Sequence, residues 1–166
     1  MHVFLIGYMG CGKSYWGRLL ADSLNYNFID LDDLIEKREG LSIPEIFEQF
    51  GEESFRHREQ SALESVKDLN QDSVISTGGG APCFSDNMDK MNDMGKTLYL
   101  KASPLILKQN ILKSKGERPI VKAIQESELE AYITEHIKQR IPFYQQAQIS
   151  INVEGLELEV LSRLFK

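Results

Sequence analysis

Eight residues near the start of the chain, Gly7-Tyr8-Met9-Gly10-Cys11-Gly12-Lys13-Ser14, set three glycines, a lysine and a hydroxyl in the spacing G-x-x-x-x-G-K-[ST]. Glycines let a backbone turn tightly and aim successive N–H groups inward, so that an anion sits at the positive end of a following helix. A lysine in that place reaches the β- and γ-phosphates of a nucleotide, and the hydroxyl suits Mg²⁺. The pattern carries weight only between a strand and a helix. Val3-Phe4-Leu5-Ile6 is a short apolar run before it. After it, Trp16, Leu19, Leu20 and Leu24 recur at three- and four-residue spacing, so Tyr15 to Leu24 reads as a helix. The octapeptide is a phosphate-binding loop in the context such a loop requires.

In an open α/β sheet, ligands bind outside the carboxyl ends of the strands. Phe28-Ile29 reads as a second strand and runs into Asp30-Leu31-Asp32. Carboxylates two apart on extended chain face the same way. One suits the outer sphere of Mg²⁺, the other a proton from an alcohol. Asp30 serves equally as the N-cap of a following helix. Asp72 to Thr77 reads as a third strand ending in Gly78-Gly79-Gly80, a wall stripped of side chains that backbone N–H groups can present to a ligand.

The cationic candidates are Arg56, Arg118 and Arg140. Arg56 lies with His57 and Arg58 in a charged helical stretch; it could clamp a carboxylate bidentately, or form a solvated salt bridge with Glu52 or Glu59. Arg118 falls in the polar stretch from Lys113 to Lys122, which suits a lid that closes over a transferring phosphate. Arg140 precedes Ile141-Pro142, a helix disruption expected to turn its side chain inward. His2, His57 and His136 lack metal-ligand spacing and read as structural or solvated. Cys11 and Cys83 are too few for a disulfide framework, and Cys11 reads as a small residue filling a tight loop, ahead of an activated thiol.

The elements that must position these groups alternate between short strands and longer helices. Ser42-Ile43-Pro44-Glu45 has the form of a capping box, followed by Ile46, Phe47 and Phe50 as an apolar face; Gly51 breaks that helix and another runs from about Glu52 to Leu69. The block from about 33 to 61 is longer than a simple crossover needs and reads as a small substrate-binding subdomain. Met88, Met91 and Met94 form a core stripe, Thr97 to Lys101 a fourth strand, and Ser103-Pro104 a helix start. A helix from about Ser127 to Gln146, interrupted at Pro142, precedes a fifth strand over Ile149 to Val153 and a closing helix from Leu156 to Phe165. Five strands alternating with helices predict an α/β fold, a parallel sheet flanked by helices on both faces.

At 166 residues the chain is expected to form one domain. No apolar run approaches the ~18 residues of a membrane span, and the chain enters a strand almost at once, which leads us to expect a cytoplasmic protein without a leader. A net charge of −6 and a pI near 5.1 argue against a nucleic-acid partner. They also predict positive charge focused in one cleft.

Taken together the residues resemble the shikimate kinases. The resemblance rests on G-Y-M-G-C-G-K-S at 7–14, F-I-D-L-D at 28–32, F-R-H-R-E at 55–59, G-G-G-A at 78–81, R-P at 118–119 and R-I-P-F-Y at 140–144. It implies a three-layer architecture like that of nucleoside monophosphate kinases, and ATP-dependent phosphorylation of the 3-hydroxyl of shikimate. Lys13 and the loop at Gly10, Cys11, Gly12, Ser14 and Tyr15 would hold ATP. Ser14 would bind Mg²⁺, with Asp30 linked through water. Asp32 would meet the ring hydroxyls as a positioning group and candidate base. Arg56, Arg140 and the wall at Gly78, Gly79 and Gly80 would grip the shikimate carboxylate. Arg118 would fold in with a lid over about 113–124, making Lys13, Asp32 and Arg118 the catalytic set. ATP and shikimate are the expected partners, and a monomer the expected state.

The sequence departs from the family pattern at Ile111, where an arginine seven residues before the lid Arg-Pro often meets adenine; Lys113 or Lys115 would have to substitute. The lid continues Ile120-Val121 in place of two leucines, and no late basic residue stands near Glu154. The competing readings are another small-metabolite kinase, such as a gluconate kinase, and a non-catalytic nucleotide-binding module. A GTPase is disfavoured because no N-K-x-D signature is present.

Overall fold

The computed structural model describes residues 1–114 and 124–166. Five strands form one sheet: β1 (His2–Ile6), β2 (Asn27–Asp30), β3 (Ser73–Ser76), β4 (Lys96–Lys101) and β5 (Ile149–Asn152). Their order is β2-β3-β1-β4-β5 and every pairing is parallel. Val3 to Ile6 on the central strand have no exposed surface, as a strand covered on both faces requires. The strand order reverses between β1 and its neighbours β3 and β4, and the loop after β1 is the phosphate-loop sequence. The switch point and the glycines therefore coincide.

Helix α1 (Lys13–Leu24) starts two residues earlier than its apolar periodicity suggested, with Gly12 as N-cap at φ 89°. That puts Lys13 and Ser14 in the first turn, where the free N–H groups are. Helix α2 (Leu31–Glu39) follows β2 without a break, capped by Asp30, whose side chain accepts from the Asp32 N–H. Asp32 is therefore in a helical turn, not on extended chain, and the expected side-by-side orientation of Asp30 and Asp32 does not hold.

Helix α3 (Ile43–Ser65) carries the anticipated capping box between Ser42 and Glu45. Gly51, at φ 79° and ψ 174°, is not helical and breaks the segment into two helices that meet at a kink, as the sequence predicts, and a 3-10 turn at Val66–Asp68 closes it. Of the three apolar residues before the kink only Ile46 is buried; Phe47 and Phe50 are 36% and 49% exposed. The kink explains this: Phe47 folds back onto the Phe55 ring across it, and Phe50 lies under the Arg58 guanidinium.

A 3-10 turn at Ala81–Cys83 follows the glycine wall, then come α4 (Asn87–Met94), with Met88 and Met91 buried, and α5 (Pro104–Lys113), capped by Ser103. Helix α6 (Glu126–Tyr144) runs through Pro142 without interruption. A proline there removes one backbone donor near the helix end, which costs less than ending the helix and exposing Tyr144, a fully buried side chain. Helix α7 (Leu158–Arg163) ends the fold. Among the described residues no helix is long and apolar enough to cross a membrane.

Candidate active site

The carboxyl ends of β1, β2 and β3 open into one cleft of about 1040 Å³, closed on its far side by α3, α5 and α6. Its lining includes Gly10, Gly12, Lys13, Ser14, Tyr15, Asp30, Asp32, Arg56, Gly78, Gly79, Gly80 and Arg140. Every candidate from the sequence that lies among the described residues is therefore in this cleft, with one exception. Cys11 is buried, and its Sγ fills the space beside Gly7, 2.9 Å from where a β-carbon there would stand. Its side chain packs the loop from behind. Arg118 and most of the expected lid lie outside the described residues.

At the loop end, Lys13 is buried and its Nζ donates to the Gly7 and Tyr8 carbonyls, at 2.8 and 3.2 Å. Ser14 Oγ donates to Asp30 Oδ2 at 2.6 Å and lies 3.3 Å from Ser76 Oγ. Asp30 caps α2 with one carboxylate oxygen, as the N-cap reading expects, and accepts from the Ser14 hydroxyl with the other. This trio is made of hard oxygen donors, of a kind that suits a small divalent cation which keeps most of its waters. Among the described residues no cluster of three or more His, Cys, Asp or Glu is arranged as a metal cage.

Asp32 projects into the cleft from the first turn of α2. Burial raises its pKa to about 6, the nearby charges of Asp30 and Glu59 push the same way, and Lys13 opposes them. A carboxyl poised there changes charge close to physiological pH, as a base or an orienting group for an alcohol needs.

On the opposite wall Arg56 is not the solvated helical arginine of the competing reading, although it makes both salt bridges that reading named. Its Nη1 binds Glu59 at 2.8 Å and its Nη2 binds Glu52 at 3.3 Å. Phe84 backs its guanidinium at 3.8 Å, and the space above Gly80 is filled by the same group. Glu59 is 1% exposed, and although burial raises its pKa, the Arg56 cation acts against that rise. Arg140 stands with Nη1 3.4 Å from the β-carbon position of Gly79. Tyr144 on the next turn of α6 donates to the Gly79 carbonyl at 2.6 Å, which fixes the glycine wall to the helix that carries Arg140. Two guanidinium groups from different helices therefore stand against the half-buried glycine wall, an arrangement suited to a carboxylate.

Three parts of the lining were missed by sequence reasoning. Glu59 was noticed only as a surface partner, although its i,i+3 spacing from Arg56 was the signal. Ile43, Pro44, Phe47 and Phe55 give the mouth an apolar rim. Asn110 of α5 and its C-cap Ser114 line the phosphate-loop end beside Lys113, which the sequence had offered, while Ile111 is buried against Gly10. The charge balance also differs from expectation. The described lining holds Asp30, Asp32, Asp33, Glu36 and Glu59 beside Lys13, Arg56, Lys113 and Arg140. Acidic and basic groups are interspersed in the described lining, which is not uniformly positive: Glu59 is paired to Arg56 at 2.8 Å and Asp32 lies within the field of Lys13.

A profile of the shikimate kinase family matches residues 9–166. The chain is 45% identical to the shikimate kinase of Parabacteroides distasonis over 157 residues, 95% of this chain and 90% of that protein. The crystal structure of shikimate kinase from Bacteroides thetaiotaomicron superposes with a TM-score of 0.93 at 41% identity, covering 99% of this chain and 97% of that one. Shikimate kinase from Acinetobacter baumannii, solved in complex with shikimate, superposes with a TM-score of 0.86 at 31% identity, covering 98% and 89%.

Proposed function

This chain belongs to the shikimate kinase family, and from that premise we propose that it transfers the γ-phosphoryl group of ATP to the 3-hydroxyl of shikimate, giving shikimate 3-phosphate and ADP. The observation that carries the reading is the shared cleft. A phosphate loop opens into the space that Arg56 and Arg140 face across a glycine wall. A phosphoryl donor and an anionic acceptor thereby gain complementary ends of one cavity.

In this reading the loop amides from Gly10 to Ser14, with Tyr15 beside them, cradle the nucleotide phosphates, and Lys13 swings from its carbonyl partners to the transferring group. The Ser14 hydroxyl would ligate Mg²⁺ carried in with ATP, and Asp30 would hold one of the ion's waters. The ion supplies charge neutralisation on the phosphates. Arg56, Arg140 and the amides of Gly79 and Gly80, with Gly78 at the edge, hold the acceptor carboxylate. Asp32 then orients the hydroxyl and accepts its proton as the O–P bond forms. Arg118 completes the catalytic set from the lid. Catalysis rests on positioning and on fixed charge around the transferred group. We read the enzyme as a cytoplasmic monomer.

A coupled ADP-release assay tests this directly. Turnover is expected with shikimate and ATP and absent with gluconate or without an acceptor. Equal ADP release in all three arms, or turnover with gluconate alone, would overturn the reading.

A further inference from the structure

Tyr8, the second residue of the phosphate loop, does not line the cleft and is 2% exposed. Its carbonyl accepts from the Lys13 Nζ and from the Cys11 N–H, so its backbone belongs to the nucleotide half of the site. Its side chain points the other way, onto α6. There the Tyr8 hydroxyl and His136 Nδ1 are joined by a hydrogen bond of 2.9 Å, with the two rings edge to face at 5.5 Å. The Arg140 guanidinium carbon stands 5.5 Å from the centre of the same Tyr8 ring. His136 and Arg140 are four residues apart and share one face of α6. Tyr132, one turn earlier, packs on the His136 ring at 5.3 Å.

We propose that Tyr8 and His136 are positioning residues that set where Arg140 stands, so that the phosphate loop itself aligns the acceptor clamp. The hydrogen bond fixes the rotation of α6 about its axis relative to the loop. The Tyr8 ring face then offers the guanidinium a favourable resting place on the side of Gly79. Burial keeps both partners in the neutral forms the bond requires: it raises the Tyr8 pKa to about 12 and lowers that of His136, and the Arg140 charge adds to the lowering at His136. Neither side chain lines the cleft. Their effect passes through one arginine. The inference rests on the reading of Arg140 as a carboxylate clamp, and the experiment separates the two.

The variants are Tyr8→Phe, which keeps the ring and loses the hydroxyl; His136→Phe, which keeps a ring and loses the bonding nitrogen; and their double. His136→Asn carries a donor and an acceptor at about the reach of Nδ1 and serves as the rescue, while Arg140→Ala is the control. The net worth of one neutral hydrogen bond corresponds to about a fivefold change in affinity. Each phenylalanine variant is therefore expected to raise KM for shikimate about fivefold while KM for ATP stays within about twofold. The double is expected to match the singles, because both remove one bond, and His136→Asn to return near the parent. Unchanged KM for shikimate, a parallel rise in KM for ATP, an additive double, or failure of the asparagine to rescue would each overturn the inference. If Arg140→Ala raises KM for shikimate and the phenylalanine variants do not, the inference alone fails. If Arg140→Ala has no effect, the clamp reading fails and takes the inference with it.

Discussion

Gly80→Ala is the most exacting test of the acceptor wall, because it alters the site by one methyl group. The Gly80 backbone, at φ −89° and ψ −19°, is open to any residue, so alanine brings no conformational strain. The added β-carbon would stand 2.9 Å from Arg56 Nη2 and 3.0 Å from Nη1, where ordinary contact begins at 3.4 Å. The guanidinium must withdraw by about 0.5 Å. It has little room to do so gently, since Glu59 holds Nη1 at 2.8 Å and Phe84 backs the group at 3.8 Å. Misplacing a positioning group by ~1 Å can cost ~100-fold in rate, so half that displacement is expected to cost about tenfold. Initial rates with shikimate varied at saturating ATP should show a KM for shikimate about tenfold higher. KM for ATP should stay within about twofold and the melting temperature within about 2 °C, because no core side chain moves. An unchanged KM for shikimate in a folded variant would mean that Arg56 and Gly80 do not meet the acceptor, and the proposed clamp would be refuted at that end.

The remaining predictions concern the phosphate loop and Asp32. Lys13→Met should abolish turnover with the far-UV spectrum and melting curve unchanged, and a normal kcat would refute the role of Lys13. Ser14→Ala should raise the Mg²⁺ concentration needed for half-maximal rate and leave KM for shikimate unaltered at saturating Mg²⁺; an unchanged Mg²⁺ requirement would count against Ser14 as a ligand. With the Asp32 pKa raised to about 6, kcat/KM for shikimate should fall as pH drops through that value. Asp32→Asn should lose this limb together with ~100-fold or more of kcat, as a missing base or orienting group predicts. Stability should move the opposite way. A raised folded pKa means the native state disfavours the ionised form, so Asp32 destabilises above pH ~6 and ceases to do so below its unfolded value near 4. Asp32→Asn should therefore melt higher than the parent at pH 8 and equal to it near pH 4, and a lower melting temperature at pH 8 would contradict the assignment.

How much of this was legible in the sequence depended on the range of the interaction involved. The phosphate loop and the Ser42–Glu45 capping box are local, with the residues that form them a few positions apart, and both stood as read. The strand ends were legible because parallel topology gathers them at one edge whatever the loops do. Asp30 was ambiguous for a physical reason: a carboxylate has two oxygens, and here one caps α2 while the other stays turned to the Ser14 hydroxyl in the cleft, so the cap does not use up the group. Arg56 was ambiguous in the same way, since its ion pairs with Glu52 and Glu59 do not remove it from the cleft.

The nucleotide end of the cleft shows where residue counting stops and helix phase takes over. Counting back from the lid Arg-Pro singled out Ile111 as the place of a missing adenine contact. On α5, however, Leu107 and Ile111 lie one turn apart on the buried face, and Ile111 packs on Gly10 of the phosphate loop. An arginine at 111 would have to leave that face or bury its charge beneath the loop. Asn110, Lys113 and Ser114, at i, i+3 and i+4, share the face turned to the cleft. The Asn110 amide donates to the Gly10 carbonyl at 2.8 Å, so α5 holds the loop from this side as Tyr8 holds it to α6 on the other. In this chain the helix uses position 111 to support the loop, and the side chains it turns to the cleft stand one residue earlier and two residues later.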